Sequence, residues 1–268
     1  MAIASTAASQ QAACRTQYDE NGFFVTPAVV PDNVIDAALA GIDEVIAGRY
    51  ETGRRPYGKQ WVPGDDLRRL VKIGQPHYSN RAILDLVTTP AVGEWAAAVS
   101  GASFVQAFAI DLFAKTPMKH DAANVGWHQD GPFLRMWRGP VFSAWIALSD
   151  VDETSAPLRY VRGSHRFGEL SGVDFDDTDL AATRRQIEAR SDLAWVEMPT
   201  AVPRGAIAFH HRLTLHASGP NLSTNRRIAI ALRLRTEACE PTEPRVHPLV
   251  LTTHLDDPAS APVLKPSA

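Results

Sequence analysis

The chain has 268 residues, enough for one large domain or two small ones, and a core of that size can bury roughly three quarters of the unfolded surface without staples. Apolar residues make up 45% and charged residues 21%, and 27 basic against 30 acidic residues give a net charge of -3, which argues against a general nucleic-acid binder. The cysteines Cys14 and Cys239 form no CxxC pair or disulfide framework, the first residues lack a basic-then-apolar leader, and no uncharged apolar run reaches about 18 residues. The expectation is therefore a cytoplasmic protein with no membrane span.

In chain order, residues 1–15 are expected to be a flexible tail, 16–258 one domain, and 259–268, rich in Pro, Ser and Ala, a second flexible tail. Pro31-Asp32 opens a helix with Val34, Ala38, Ile42, Val45 and Ile46 at helical spacing. Ser79-Asn80 can cap a short helix through Leu86, and Thr89-Pro90 starts another that stops at Gly101. From Phe104 the texture changes. Phe104–Lys115 is strand-like, with Asp111, Phe113 and Lys115 on one face. Further strands are expected at Val141–Leu148, Leu158–Val161, Ala194–Met198, Ala206–Phe209, Leu213–His216 and Arg226–Arg235, with Gly and Pro between them. Residues 173–193 carry an inserted helix, a candidate lid. Helices first and short strands after predict an α+β chain with a mainly β core, a jelly roll behind an N-terminal helical shell. The sequence has neither βαβ alternation nor a GxGxxG motif, so a Rossmann reading is poor.

Trp127-His128-Gln129-Asp130-Gly131 places an imidazole and a carboxylate two residues apart, on one side of an extended segment. With one later histidine they would form the two-histidine, one-carboxylate set of non-haem Fe(II) oxygenases, which leaves three positions open. Alone, His-x-Asp is a weak signal. Further on, His216 ends an apolar strand, Gly219-Pro220-Asn221 turns the chain, and the run from Arg226 is expected to return antiparallel beside it. On that strand Arg227 shares a face with Ala229 and Ala231, a small-residue surface where an arginine could hold a carboxylate. A surface arginine on an edge strand is an equal reading of the spacing.

The pieces together resemble the phytanoyl-CoA dioxygenase family of Fe(II)/2-oxoglutarate oxygenases, from about Tyr18 to Arg235. They occur in family order: Tyr18–Phe23, Val71–Gly74, Leu112–Pro117, Trp127–Asp130, Ala144–Leu148, Gly163–Arg166, His216–Asn221, and Arg227 eleven residues beyond His216. The resemblance implies a double-stranded β-helix, the jelly roll of cupins. It implies that His128, Asp130 and His216 bind Fe(II) and that Arg227 pairs with the far carboxylate of 2-oxoglutarate, with Ser218 assisting. Lys72 matches a family lysine that reaches the cosubstrate, and Trp145 an aromatic residue lining its pocket. Arg226 is the competitor of Arg227. Departures are Thr154-Ser155-Ala156 where relatives carry Asn-Gly, and Arg162 where proline often precedes Gly-Ser-His. Asp130 argues against halogenation, since family halogenases replace that carboxylate.

The implied reaction uses O2 and 2-oxoglutarate, releases succinate and CO2, and oxidises a small molecule. Hydroxylation is its default outcome; desaturation, cyclisation and epimerisation belong to the same chemistry. A natural-product intermediate is the expected substrate class. Candidate substrate contacts are Asp111, on the face of Lys115; Gln129, between two ligands; Phe133 and Trp137, flanking them; Trp61, in a Gly/Pro-rich stretch with Tyr57, Lys59 and Gln60; and His211. For His210 and His211, pocket lining and core packing stay equally open. His165 is expected to stabilise a turn, and His77, His120, His247 and His254 to lie at the surface. A cosubstrate-independent cupin-like metalloenzyme and a non-catalytic binding protein remain as alternatives on the same fold. Oligomeric state is not legible.

Overall fold

The computed structural model describes residues 13–57, 61–117, 123–190, 192, 194–242 and 254–267. Its β-strands form two antiparallel sheets packed face to face. The larger sheet runs β1 (Phe23–Val25), β9 (Ile207–His211), β6 (Phe142–Ala147), β11 (Arg227–Thr236), β3 (Val105–Lys115) and β13 (Val263–Lys265), and β2 (Val71–Gly74) also pairs with β3. The smaller sheet runs β4 (Val125–His128), β10 (His216–Ser218), β7 (Leu158–Val161) and β8 (Glu197–Thr200). Strands β5 (Trp137–Arg138) and β12 (Glu240–Pro241) form a separate pair.

Side-chain alternation explains the layering. Along β11, Ile228, Ile230, Leu232 and Leu234 join the core beneath the helices, whereas Ala229 and Ala231 join the core between the sheets. The helical layer consists of α1 (13–21), α2 (Asp32–Ile46), α3 (Arg81–Val87) and α4 (Pro90–Ser100). Helix α2 turns Ile35, Ala38, Ile42 and Val45 inward at helical spacing; each buried isoleucine contributes about 1.5–3 kcal/mol. Asn80 caps α3 through a bond from the Ile83 backbone N–H, as expected. The segment Arg81–Ser100 is long and apolar enough to cross a membrane by length and composition. In the fold it is two helices, and Ile83, Leu86, Val87, Val92, Ala96 and Val99 pack into this core.

The inserted helix, α5 (Leu180–Arg190), covers the outer face of the smaller sheet, where Ile187 packs with Trp127, Val161 and Leu215. The segment before α5 is sewn to β4 by two bonds, Gly126 N–H to Phe175 O (2.9 Å) and Asp174 N–H to Trp127 O (3.0 Å). A side chain at residue 126 would collide with the carbonyl oxygens of Asp174 and Asp177, so glycine is required there.

Of the expected N-terminal tail, residues 1–12 lie outside the described residues, and the ordered domain starts before residue 16: residues 13–21 are helical and Cys14 is fully buried against the core. The expected C-terminal tail needs correction. Residues 259–267 are held: β13 completes the larger sheet against β3, and Ser260 and Ala261 are buried. The Gln106 side chain donates to Leu255 O and Ala261 O, and His77 Nε2 lies 3.2 Å from Ser260 O. His77 is thus a buried residue and not a surface one. Two strand expectations shift: β8 starts at Glu197, and β10 starts at His216 rather than ending there.

Candidate metal and dicarboxylate site

His128 closes β4 and His216 opens β10, and they are direct register partners in the antiparallel pair, with ring centroids 4.1 Å apart. Asp130 is brought to them by a change of direction. Its backbone is helical (φ -70, ψ -27) at the start of a short turn, Gly131–Leu134, so the extended geometry expected for His-x-Asp holds only as far as His128. One donor atom from each of the three lies within 4.8 Å of the others, and His128 Nε2 is 3.9 Å from Asp130 Oδ1. Two donors at about 2.1 Å from one ion sit at most about 4.2 Å apart, so the spacing of this pair suits one shared ion.

The protonation states suit a cation. His128 Nδ1 meets Gly126 O at 2.8 Å and His216 Nδ1 meets Thr214 O at 2.9 Å, which turns each Nε2 inward. Burial pulls the His128 pKa down to about 4. Burial, then His128 and His210, pull that of His216 well below its ordinary value. Both rings are therefore neutral donors near pH 7. Burial opposes the charge on Asp130, but Arg233, the hydrogen bond from His210 and the nearby His216 hold its pKa well below the usual range. Two neutral imidazoles and one carboxylate, all buried, fit a first-row divalent ion such as Fe(II).

Asp130 is held by a row of residues that runs straight across the larger sheet. His210 of β9, Ser143 of β6 and Arg233 of β11 are successive register partners. Ser143 Oγ donates to Asp130 Oδ2 at 2.5 Å, His210 Nε2 lies 3.1 Å from the same oxygen, and Arg233 Nη2 lies 3.1 Å from Oδ1. The Tyr160 hydroxyl lies 3.1 Å from His210 Nδ1, which fixes the ring with Nε2–H toward Asp130. Sequence reasoning missed Ser143 and Arg233 and left His210 open. Arg233 had a signal, since it continues the inward alternation of Arg227, Ala229 and Ala231.

Two cavities meet at this centre. A narrow one is lined by His128 and His216 together with Trp145, Ser218 and Arg227. Arg227 is 2% exposed and has no acidic partner among the described residues. Its Nε is unpartnered, and its guanidinium carbon lies 5.2 Å from the centroid of the Trp145 ring. Burial lowers its pKa to about 10, so it stays charged. Arg226, by contrast, is exposed and pairs with Asp43 at 2.8 Å. Lys115, which had no assigned role, lies opposite Arg227 in the register. Its Nζ donates to Ser218 Oγ (2.6 Å), Gly219 O (2.8 Å) and Ser218 O (3.1 Å). Strands β10 and β11 belong to different sheets. His216 and Arg227 therefore face each other across the sandwich, and the expected hairpin does not form.

The second cavity, of about 190 Å³, opens on His128 and Asp130 from the other side. Asp111 and the exposed Phe133, two of the expected substrate contacts, line it. Lys72 lines this cavity rather than that of Arg227, with Nζ 4.3 Å from the Phe175 ring centroid. Phe175, from the insert, borders both cavities and stands edge-on to His128 at 5.0 Å. Four expected substrate contacts lie elsewhere. Gln129 is fully buried, donating to Gly168 O and Leu213 O and accepting from Leu170 N–H, so it braces loops. Trp137 packs behind the cavity wall against Phe108, and Trp61 packs in the core beneath the helices. His211 faces His165, with centroids 5.3 Å apart. Lys59, Gln60, His120 and His247 lie outside the described residues.

A profile of the family described as Phytanoyl-CoA dioxygenase (PhyH) matches residues 18–229. A protein of Stutzerimonas stutzeri described as "Probable alpha-ketoglutarate-dependent hypophosphite dioxygenase" is 28% identical over 167 residues, which is 61% of this chain and 56% of that protein. The chain thus matches little more than half of that relative's length. Among solved structures, the fold is similar to the non-heme alpha ketoglutarate dependent carbocyclase SnoK from nogalamycin biosynthesis, with a TM-score of 0.65, 23% identity and 85% of each chain covered. It is also similar to EctD from S. alaskensis, solved with 2-oxoglutarate and 5-hydroxyectoine, with a TM-score of 0.67, 16% identity, and 90% of this chain and 82% of that one covered. At these identities the likeness is one of fold.

Proposed function

The chain belongs to the phytanoyl-CoA dioxygenase family, and from that premise we propose that it is an Fe(II)/2-oxoglutarate-dependent dioxygenase that oxidises a small-molecule metabolite, in the first instance by hydroxylation. The observation that carries this reading is the buried, acid-free guanidinium of Arg227 in the cavity that also exposes His128 and His216. A buried cation without a counter-charge is costly, and a dicarboxylate that reaches from the metal to Arg227 supplies that charge. A cosubstrate-independent metalloenzyme would have no use for such a residue.

Iron bound by His128, Asp130 and His216 would supply the activation of O2 with 2-oxoglutarate as reductant, giving succinate and CO2. The chain does the rest. Arg227 fixes the far carboxylate of the cosubstrate. Lys115 holds Ser218 and the end of β10 at the cavity wall. Trp145 and Phe113 keep water out of the narrow cavity. Phe175 separates the cosubstrate from the second cavity, where the substrate binds within reach of the metal. Oxidation of a natural-product intermediate is the specific form of the reading.

The test is spectroscopic. Fe(II) and then 2-oxoglutarate are added to the metal-free protein under argon, and a weak visible charge-transfer band is expected only with both. Metal binding without that band would replace this reading with the cosubstrate-independent one.

A further inference from the structure

The wider cavity holds a group that the oxygenase reading leaves without a task. Asp111 lies on the inner face of β3 opposite Ala231, and it lines the cavity that opens on His128 and Asp130. Its carboxylate makes no hydrogen bond and joins no ion pair among the described residues. The two cations near it are directed elsewhere. Arg233 extends to Asp130 Oδ1, and Lys72 lies over Phe175. Burial pushes the Asp111 pKa up, and the charges of Lys72 and Arg233 pull against that shift. A desolvated, unpaired carboxylate is relieved by an arriving cation.

The rest of the cavity agrees with such a guest. Phe108, Phe133 and Phe175 line it, and aromatic rings hold ammonium groups as well as apolar bodies. Asp174 and Asp176, both exposed, stand at its rim, where negative charge draws cations in. We infer that Asp111 anchors the substrate, and that the substrate is a small molecule bearing a protonated amine or alkylammonium group, with its apolar part against the aromatic wall. The inference rests on the oxygenase reading of the adjoining metal site. An anionic substrate, which Lys72 and Arg233 would favour, is the competing outcome.

Three probes on one frame separate the cases: cyclohexylmethylamine, cyclohexylmethanol and cyclohexanecarboxylate. Their binding to the zinc- and 2-oxoglutarate-loaded protein is read by saturation-transfer NMR. The amine is expected to bind at least about tenfold tighter than the other two, as for a charge-assisted pair. In Asp111→Asn the three should fall within about twofold of one another, while Asp111→Glu keeps the amine preference and so reports a folded pocket. Preferred binding of the carboxylate, an amine preference that survives in Asp111→Asn, or no binding of any probe would each overturn the inference. The iron charge-transfer band, recorded in parallel, judges the oxygenase reading by itself. No amine preference in the unaltered protein, with the band intact, defeats only the assignment of Asp111. An amine preference without the band supports the cation site and defeats the oxygenase reading.

Discussion

Lys115 and Arg227 are register partners on neighbouring strands, both almost without exposure, and only Lys115 has its charge met by the protein. Burial, and then the charge of Arg227, pull the Lys115 pKa well below its ordinary value. The charged Arg227, beside a second buried basic group and without an acidic partner among the described residues, leaves this end of the cavity short of negative charge, and a dicarboxylate supplies it.

Arg227→Ala is therefore expected to weaken 2-oxoglutarate binding by about a hundredfold or more, with iron binding changed far less. Arg226→Ala, which removes only a surface pair with Asp43, should stay within about twofold. Titrating the charge-transfer band in each variant measures both. The reverse ranking would put the strand register off by one.

Lys115→Met keeps the length of the side chain and removes three hydrogen bonds. The carbonyls of Ser218 and Gly219 lose their donor, so a stability loss of about 2–5 kcal/mol is expected in denaturant unfolding. Cosubstrate affinity should fall by about tenfold, because Ser218 is no longer held at the cavity wall. Unchanged stability would mean that Lys115 is replaceable packing.

The groups around Asp130 should act on the metal in opposite directions. His210→Phe removes the bond that orients the carboxylate and is expected to weaken Fe(II) affinity by about 10–100-fold. Arg233→Met removes a cation beside a dication and frees Oδ1, so Fe(II) should bind at least as tightly as in the unaltered protein. Competition with a fluorescent chelator reads both, and equal losses in the two variants would contradict the opposite effects assigned to His210 and Arg233.

Acid should loosen the C-terminal strand through His77. Burial lowers its pKa from 6.5 to about 4. The unfolded chain therefore takes up its proton first as the pH falls. Stability from this group is complete above about pH 6.5 and declines toward pH 4, by about 3 kcal/mol in all. Replacing His77 with Gln should flatten that part of the stability curve in urea unfolding at pH 7 and pH 5. An unaltered slope would mean that other groups carry it.

Much of this was legible in the chain. His128, Asp130, His216 and Arg227 sit in short motifs whose spacing survives folding, and the two-residue period put Asp111, Phe113 and Lys115 on one inner face. The row His210, Ser143 and Arg233 was hidden for a physical reason. It joins β9, β6 and β11, strands far apart in sequence, and pairing between them is a tertiary choice that no local pattern encodes. The same holds for β13, whose Pro- and Ala-rich surroundings resemble a tail and whose order comes from the edge of β3. Trp61, Trp137 and Gln129 misled because aromatic and amide side chains near a motif in sequence serve packing as readily as contact with a ligand.

The bare backbone at Gly126 joins the strand that ends in His128 to the segment that presents Phe175. The cavity wall at Phe175 and the proposed metal ligand His128 are therefore joined directly through the backbone. Anyone who transplants the insert between relatives to change selectivity must carry that glycine with it. A single methyl group there would prise the wall off the strand and widen the passage between the two chambers.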